Sequence, residues 1–243
     1  MPEIAIVAGS GLEKSFKIDR EALVRTPYGD VTLSEMEIFD IPVVFLPRHG
    51  REHSLPPHMV NYRANMFALK EVGVKKALAT NAVGSLRERI GPGDFVVPDQ
   101  LLDFTKARPS TFFDGKDGEV VHTDVTETYS EEVRKALIRS FQGKGASLHR
   151  KGVYVCTEGP RYETPAEITM FRRLGGDVVG MTGCPEAILA KELGLRYATI
   201  CLVTNYGAGM QKRVDHSEVV KLMGASTDDV RHGIKEAVRR LSE

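Results

Sequence analysis

Two arginines and two histidines fall within six residues at Arg48-His49-Gly50-Arg51-Glu52-His53, directly after the apolar run Val43-Val44-Phe45-Leu46 and Pro47. Arginine grips phosphate oxygens with paired N–H donors, and histidine can donate beside it. At the end of a buried strand, Arg48, His49, Arg51 and His53 therefore read as ligands for an anion. The plainer reading is a solvated loop of mixed charge. His49, His53 and His58 could supply three imidazoles to a metal, but no helical histidine pair with an intervening glutamate is spelled, so no metal site is expected.

Further strand ends carry small and polar residues. Gly9-Ser10-Gly11-Leu12 follows the apolar run Ile4–Ala8 and exposes backbone N–H groups that could cradle an anion. It is no dinucleotide fingerprint, because position 14 is Lys where a third glycine would be needed. Thr80-Asn81-Ala82-Val83-Gly84-Ser85-Leu86, Thr157-Glu158-Gly159-Pro160-Arg161-Tyr162-Glu163, Gly180-Met181-Thr182-Gly183-Cys184-Pro185-Glu186 and Thr204-Asn205-Tyr206 are similar. Each alone is ordinary turn chemistry. Together they count, because ligands in α/β folds collect at strand ends.

The elements that must position these residues alternate. Apolar runs at 4–9, 43–47, 76–84, 94–104, 152–159, 178–182 and 197–205 read as strands. Helical patterns fill 61–73, 130–145, 164–176 and 185–196, and a terminal helix from His216 to Ser242 has a potential break at Gly224. This alternation predicts an α/β fold with strands buried on both faces. Thr164, Pro165 and Glu167 predict a capped helix start, and Gly175 and Gly194 predict helix ends. Residues 105–130 read as loop, and no linker or repeat divides the 243 residues, so one domain spanning 1–243 is expected.

Composition narrows the function. Lys plus Arg and Asp plus Glu both number 33, which gives no basic field for nucleic acid or a membrane surface. No stretch reaches the roughly 20 apolar residues of a membrane span, and the N-terminus lacks a secretory pattern, so a soluble cytoplasmic protein is expected. Cys156, Cys184 and Cys201, each in an apolar context, read as reduced thiols in or near the core.

In their order, GSGL, RHGREH, PPHMVNYRAN, TNAVGSL, TEGPRYET, GMTGCPE and LVTN resemble the trimeric purine nucleoside phosphorylase and methylthioadenosine phosphorylase family, from about residue 6 to residue 220. The resemblance implies a single α/β domain with a central mixed, partly barrel-like sheet flanked by helices. It also implies a homotrimer, or a dimer of trimers, that uses no cofactor and takes inorganic phosphate as co-substrate. The implied reaction is phosphate-dependent cleavage of a purine nucleoside to free base and ribose 1-phosphate. By motif match Ser10, Arg48, His49, Asn81, Ala82 and Thr182 would surround the phosphate, and Met181 would lie against the ribose. The RHG triplet also resembles the histidine phosphatases, but there it follows the first strand, and here no second half of that family's site is recognisable. A non-catalytic nucleoside sensor would use the same pocket residues without turnover.

Within the resembling family, the methylthioadenosine branch has an Asp-Tyr-Asp pattern where this chain has Asn205-Tyr206-Gly207. An asparagine amide can donate to purine N7 and to a 6-keto oxygen, whereas an ionised carboxylate would repel that oxygen. Glu163, beside Tyr162, matches the glutamate that accepts from ring N1–H in the 6-oxopurine branch. His216 matches the histidine that reaches the ribose 5′-hydroxyl; its plainer role is to open a helix beside Asp215. The resemblance thus implies cleavage of inosine and guanosine in purine salvage, with Asn205 and His49 as the catalytic residues. RHGREH, NYRAN and GSLRE are nearer the methylthioadenosine side, which keeps S-methyl-5′-thioinosine and methylthioadenosine as alternative substrates.

Overall fold

The run KALATNAVGS can be buried on both faces because its side chains are small or β-branched, and it forms the strand Lys76–Ser85 (β5). Arg196–Tyr206 (β11) pairs with it in parallel along the whole length, from Arg196 beside Lys76 to Tyr206 beside Ser85. That occupies one edge of β5. The other edge is shared. Ile4–Ala8 (β1) pairs in parallel with residues 76–79, and Val178–Gly180 (β10) pairs antiparallel with Ser85 and Gly84. The two strands approach from opposite ends and stop short, so the edge between Thr80 and Val83 is left to loops.

The computed structural model describes every residue except Met1, Ser10, Glu13, Lys14, Asp117, Glu119, Lys144, Gly145 and Val214. Ile41–Pro47 (β4) lies parallel to β1, and the hairpin Arg20–Thr26 (β2) and Gly29–Ile38 (β3) extends the sheet beyond it. Beyond β10 lie Val153–Thr157 (β9) and Gln100–Phe104 (β7). Phe95–Val96 (β6) and Leu148–His149 (β8) continue from the far edge of β11. Among the described residues eleven strands thus form one mixed sheet that forks at β5 rather than running flat.

Helices cover it: Tyr62–Glu71 (α1), Glu131–Phe141 (α2), Pro165–Arg173 (α3), Glu186–Glu192 (α4) and His216–Ser242 (α5). The expected capping box forms at α3, where Glu167 N–H donates to Thr164 Oγ1 and Thr164 N–H donates to Glu167 Oε2. All three cysteines are buried and unpaired, in a cluster around Tyr154.

Three features differ from the sequence expectation. The β2–β3 hairpin shows no apolar run: β2 has no buried residue, and in β3 the buried positions pass from Val31 and Leu33 on one face to Ser34, Met36 and Ile38 on the other, with polar residues between them. The run at 94–104 is two strands, divided around Pro98, which has no N–H to donate to a ladder. Helix α5 passes through Gly224 unbroken. A helical glycine costs about 1 kcal/mol, and Val230, Ile234, Ala237, Val238 and Leu241, buried along the same helix, outweigh it.

Gly9 shows why a glycine follows β1. A Cβ there would sit 2.4 Å from the Thr80 carbonyl oxygen and 3.0 Å from Arg48 Nη1. The backbone oxygen cannot give way. Gly9→Ala is expected to lose about 1–3 kcal/mol, measured as a Tm lower by about 2–4 °C per kcal/mol; an unchanged Tm would contradict this close approach.

Candidate active site

The gap on β5 is where the sequence motifs meet. After Pro47 the chain enters the RHGREH turn, anchored by Arg48 N–H donating to the Ala8 carbonyl at 3.0 Å. The turn divides its charges. Arg48 and His49 are buried at the strand end, while Arg51 and His53 are exposed. Arg51 pairs with Glu21 of β2 rather than turning inward, so the four residues do not form one anion cage. His49 Nδ1 lies 2.8 Å from the Leu55 carbonyl, which can only accept, so that nitrogen carries the proton. Its ring lies against that of His53, with centroids 4.5 Å apart and planes tilted by 37°.

Arg48 is the largest fully buried side chain among the described residues. Its Nε and Nη2 each donate to a Glu186 carboxylate oxygen at 2.7 Å, and Nη1 donates to the Thr80 carbonyl at 2.9 Å. Tyr197 Oη donates to Glu186 Oε1 at 2.6 Å. Burial by itself would lower the Arg48 pKa; attraction and hydrogen bonding from Glu186 outweigh it and hold the guanidinium charged. The sequence reading did not assign Glu186, Tyr197 or Thr80. Glu186 stood in the quoted GMTGCPE motif, but an acid in the first turn of a helix reads as a favourable dipole partner at the surface, and its complete burial is visible only in three dimensions.

Across the gap, the turn after β10 runs back along β5. It brings Thr182 Oγ1 to 2.7 Å from Asn81 Nδ2, and Thr199 Oγ1 donates to Asn81 Oδ1 at 2.6 Å. Asn81, Ala82 and Thr182 are thereby gathered at the end of β1, with Arg48 joined to them through Thr80. Ser10 lies outside the described residues. A small pocket borders this group, lined by Thr80, Asn81 and Ala82 from β5 and by Met223 and Thr227 from α5.

A second group forms where β11 and β9 end. A bulge between Val203 and Asn205 shifts the ladder, and Asn205 pairs with Gly84. A Cβ on Gly84 would lie 3.1 Å from Asn205 Nδ2, so the glycine admits the amide over β5. Asn205 Oδ1 accepts from Thr204 Oγ1 at 2.9 Å, and Nδ2 donates to the Tyr206 carbonyl at 2.8 Å. Glu163 Oε1 accepts from Thr157 Oγ1 at 2.6 Å, and burial raises the pKa of this carboxyl. Gly207 N–H donates to the Ser85 carbonyl at 2.8 Å, and its Cα side faces Ile168 of α3. The Met181 thioether packs on Gly159, where a Cβ would come within 2.7 Å of the sulfur. Tyr162 Oη and His216 Nδ1 share a 3.1 Å hydrogen bond at the start of α5, with Tyr162 half-buried and His216 exposed.

The buried ion pair predicts its own test. Removing one partner leaves an uncompensated charge, at a cost of about 3–5 kcal/mol, whereas replacing both by apolar groups costs much less. Glu186→Ala should lower stability to denaturant by that amount, and Arg48→Met/Glu186→Leu should be more stable than Glu186→Ala. A double variant less stable than the single one would refute the pairing.

The chain is similar to known proteins along nearly its whole length. The chain is 54% identical over 237 residues to the 6-oxopurine nucleoside phosphorylase of Pyrococcus furiosus, covering 95% of this chain and 89% of that one. It is 50% identical over 243 residues to a probable S-methyl-5′-thioinosine phosphorylase of Methanothermobacter thermautotrophicus, covering 98% and 84%. Methylthioadenosine phosphorylase from Schistosoma mansoni, solved in complex with adenine, superimposes with a TM-score of 0.94 at 36% identity, covering 100% of this chain and 92% of that one. These likenesses leave no place for the histidine phosphatase reading of the RHG triplet. With residues 3–239 matched by its family model, the chain belongs to the phosphorylase superfamily.

Proposed function

We propose that this protein is a 6-oxopurine nucleoside phosphorylase, cleaving inosine and guanosine with phosphate to the free base and ribose 1-phosphate. The observation that carries the reading is the presence of an amide, Asn205, at the end of β11 and of a carboxylate, Glu163, in the turn after β9. A 6-oxopurine presents acceptors at N7 and O6 and a donor at N1–H, which an Asn205 amide and an ionised Glu163 complement. The names of the relatives support the same substrate class.

The chemistry follows from where charge develops. As the C1′–N9 bond breaks, the ribose becomes positive and the purine takes the electron pair; a phosphate oxygen then bonds to C1′. Binding energy speeds the reaction only where it is stronger in that transition state. One Asn205 Nδ2 hydrogen already goes to the Tyr206 carbonyl, and the second would donate to N7 as negative charge grows there. Phosphate would be held by His49, Asn81, Thr182, the Ala82 backbone and Ser10. Arg48, fixed by Glu186, would supply positive charge beneath it. Phosphate is both nucleophile and counter-charge, so the mechanism calls on no cofactor. Met181 would lie on the ribose, Gly207 would keep space beside the base, and the Tyr162–His216 pair would face the 5′ position. Assembly as a homotrimer, or a dimer of trimers, and a cytoplasmic location belong to the same proposal.

The names of two relatives favour a second reading, S-methyl-5′-thioinosine as substrate. It shares the base and differs at the 5′ substituent, where Tyr162 and His216 present polar groups that suit a hydroxyl better than a thioether.

Phosphate-dependent base release from inosine, guanosine, adenosine, methylthioadenosine and methylthioinosine should show inosine and guanosine cleaved fastest and adenosine inert. Preference for methylthioadenosine would defeat the base-pocket assignment. Asn205→Ala should lower turnover by about two orders of magnitude, the ~3 kcal/mol of a single donor to developing charge, with phosphate affinity retained. Equal turnover would remove that role. The pH profile tests Glu163. It must be ionised to accept from N1–H, and its raised pKa means the carboxylate is lost on acidification earlier than for an ordinary glutamate. The acid limb of kcat/KM for inosine should therefore lie above pH 4.5 and vanish in Glu163→Gln.

A further inference from the structure

Outside the residues the motifs single out, a second arginine is almost completely withdrawn from solvent. Arg108 stands in the irregular segment after β7, and its side chain is 1% exposed. Its Nη1 lies 2.7 Å from the Met181 carbonyl, 2.8 Å from the Cys184 carbonyl and 3.1 Å from Tyr62 Oη. Nη2 lies 2.6 Å from the Glu158 carbonyl and 3.3 Å from the Thr157 carbonyl. The Glu158 carboxylate is 3.6 Å from Nε, and the guanidinium covers the Tyr62 ring at 5.1 Å. Carbonyl oxygens from two separate turns thus converge on one planar cation.

Each of those turns carries residues of the proposed site. Between Met181 and Cys184 lies Thr182, which touches Asn81. Six residues after Thr157 comes Glu163, whose carboxylate the Thr157 hydroxyl holds. The Met181–Cys184 turn is gripped from both sides. Its carbonyls face Arg108, while the Thr182 and Gly183 N–H groups point to Tyr154 Oη at 3.4 and 3.2 Å. Lysine could not replace the guanidinium here, because an ammonium is a point donor and cannot span two turns with a flat fork.

We propose that Arg108 is a positioning residue for the nucleoside site: by clamping the carbonyls of the two turns it sets where Thr182 and Glu163 stand relative to β5. It touches neither phosphate nor base and acts through the backbone of both turns. The assay half of its test rests on the phosphorylase reading; the exchange half does not.

Amide hydrogen exchange and phosphorolysis of inosine are measured on wild type, Arg108→Met, Arg108→Lys and Arg108→Ala. In Arg108→Met, exchange over 157–163 and 181–184 should rise at least tenfold while β1, β4 and the first half of β5 keep wild-type protection. Its kcat/KM for inosine should fall by ten- to a hundredfold at a temperature well below its Tm. Arg108→Lys should recover little of the loss, and millimolar guanidinium, but not sodium, should reactivate Arg108→Ala with saturation. Unchanged exchange in both turns, or a loss of activity matched by a uniform loss of protection in the core strands, would overturn the proposal. If Arg108→Met does not fold, Arg108→Lys carries the same readouts. Absence of phosphorolysis in the wild type would defeat the functional reading instead, and exchange would still decide the role of Arg108.

Discussion

A β-strand has two hydrogen-bonding edges, and β5 gives one of them to β11 from end to end. The remaining edge is shared by β1 and β10, which reach it from opposite ends and stop short, leaving the stretch from Thr80 to Val83 without a strand partner on that side. Backbone polar groups at that depth need partners. Arg48 meets the Thr80 carbonyl, Gly9 N–H meets the Thr80 hydroxyl at 2.9 Å, and the loops that follow β1, β4 and β10 close around the rest. The candidate phosphate site is therefore a consequence of how the sheet is shared out. A pocket at such a break is the position where ligands of open α/β sheets are found.

Holding polar loops in a buried gap takes charge, and charge withdrawn from water is costly unless it is paired and hydrogen-bonded. Two arginines meet that condition differently. Arg48 is matched by a full carboxylate, Glu186, with Tyr197 satisfying the same acid. Arg108 is matched mostly by carbonyl dipoles of two turns, with Glu158 alongside. Neither arrangement is the cheapest way to fill a core; replacing a buried pair with apolar side chains is often neutral for stability. Both are suited to fixing donors and acceptors at set distances before a ligand arrives, which is what stabilising a developing charge requires.

Substrate choice within the superfamily turns on far fewer atoms than the fold does. A methylthioadenosine phosphorylase shares the backbone at a TM-score of 0.94 with 36% identity. The 6-oxopurine reading rests on an amide in place of a carboxylate at position 205 and a carboxylate at position 163. Exchanging acceptor for donor at a buried polar contact leaves one group unpaired with the wrong base, so such sites discriminate strongly.

The sequence by itself determined the alternation of strands and helices, the capping box at Thr164 and Glu167, the burial of the three cysteines, and the strand-end motifs. These are set by local patterns: period, turn chemistry and helix caps act over a few residues. It did not reveal the β2–β3 hairpin, whose buried residues switch faces along β3 and so make no apolar run, nor the division around Pro98. The tertiary structure alone decided that Arg48 and His49 turn inward while Arg51 pairs with Glu21. It also decided that Glu186, 138 residues from Arg48, is that arginine's partner, and that Arg108, in a segment with no pattern of its own, ties two turns together. A charged side chain carries the same chemistry buried or exposed, and its partner is chosen by which distant segments the sheet brings side by side; no spacing along the chain encodes that.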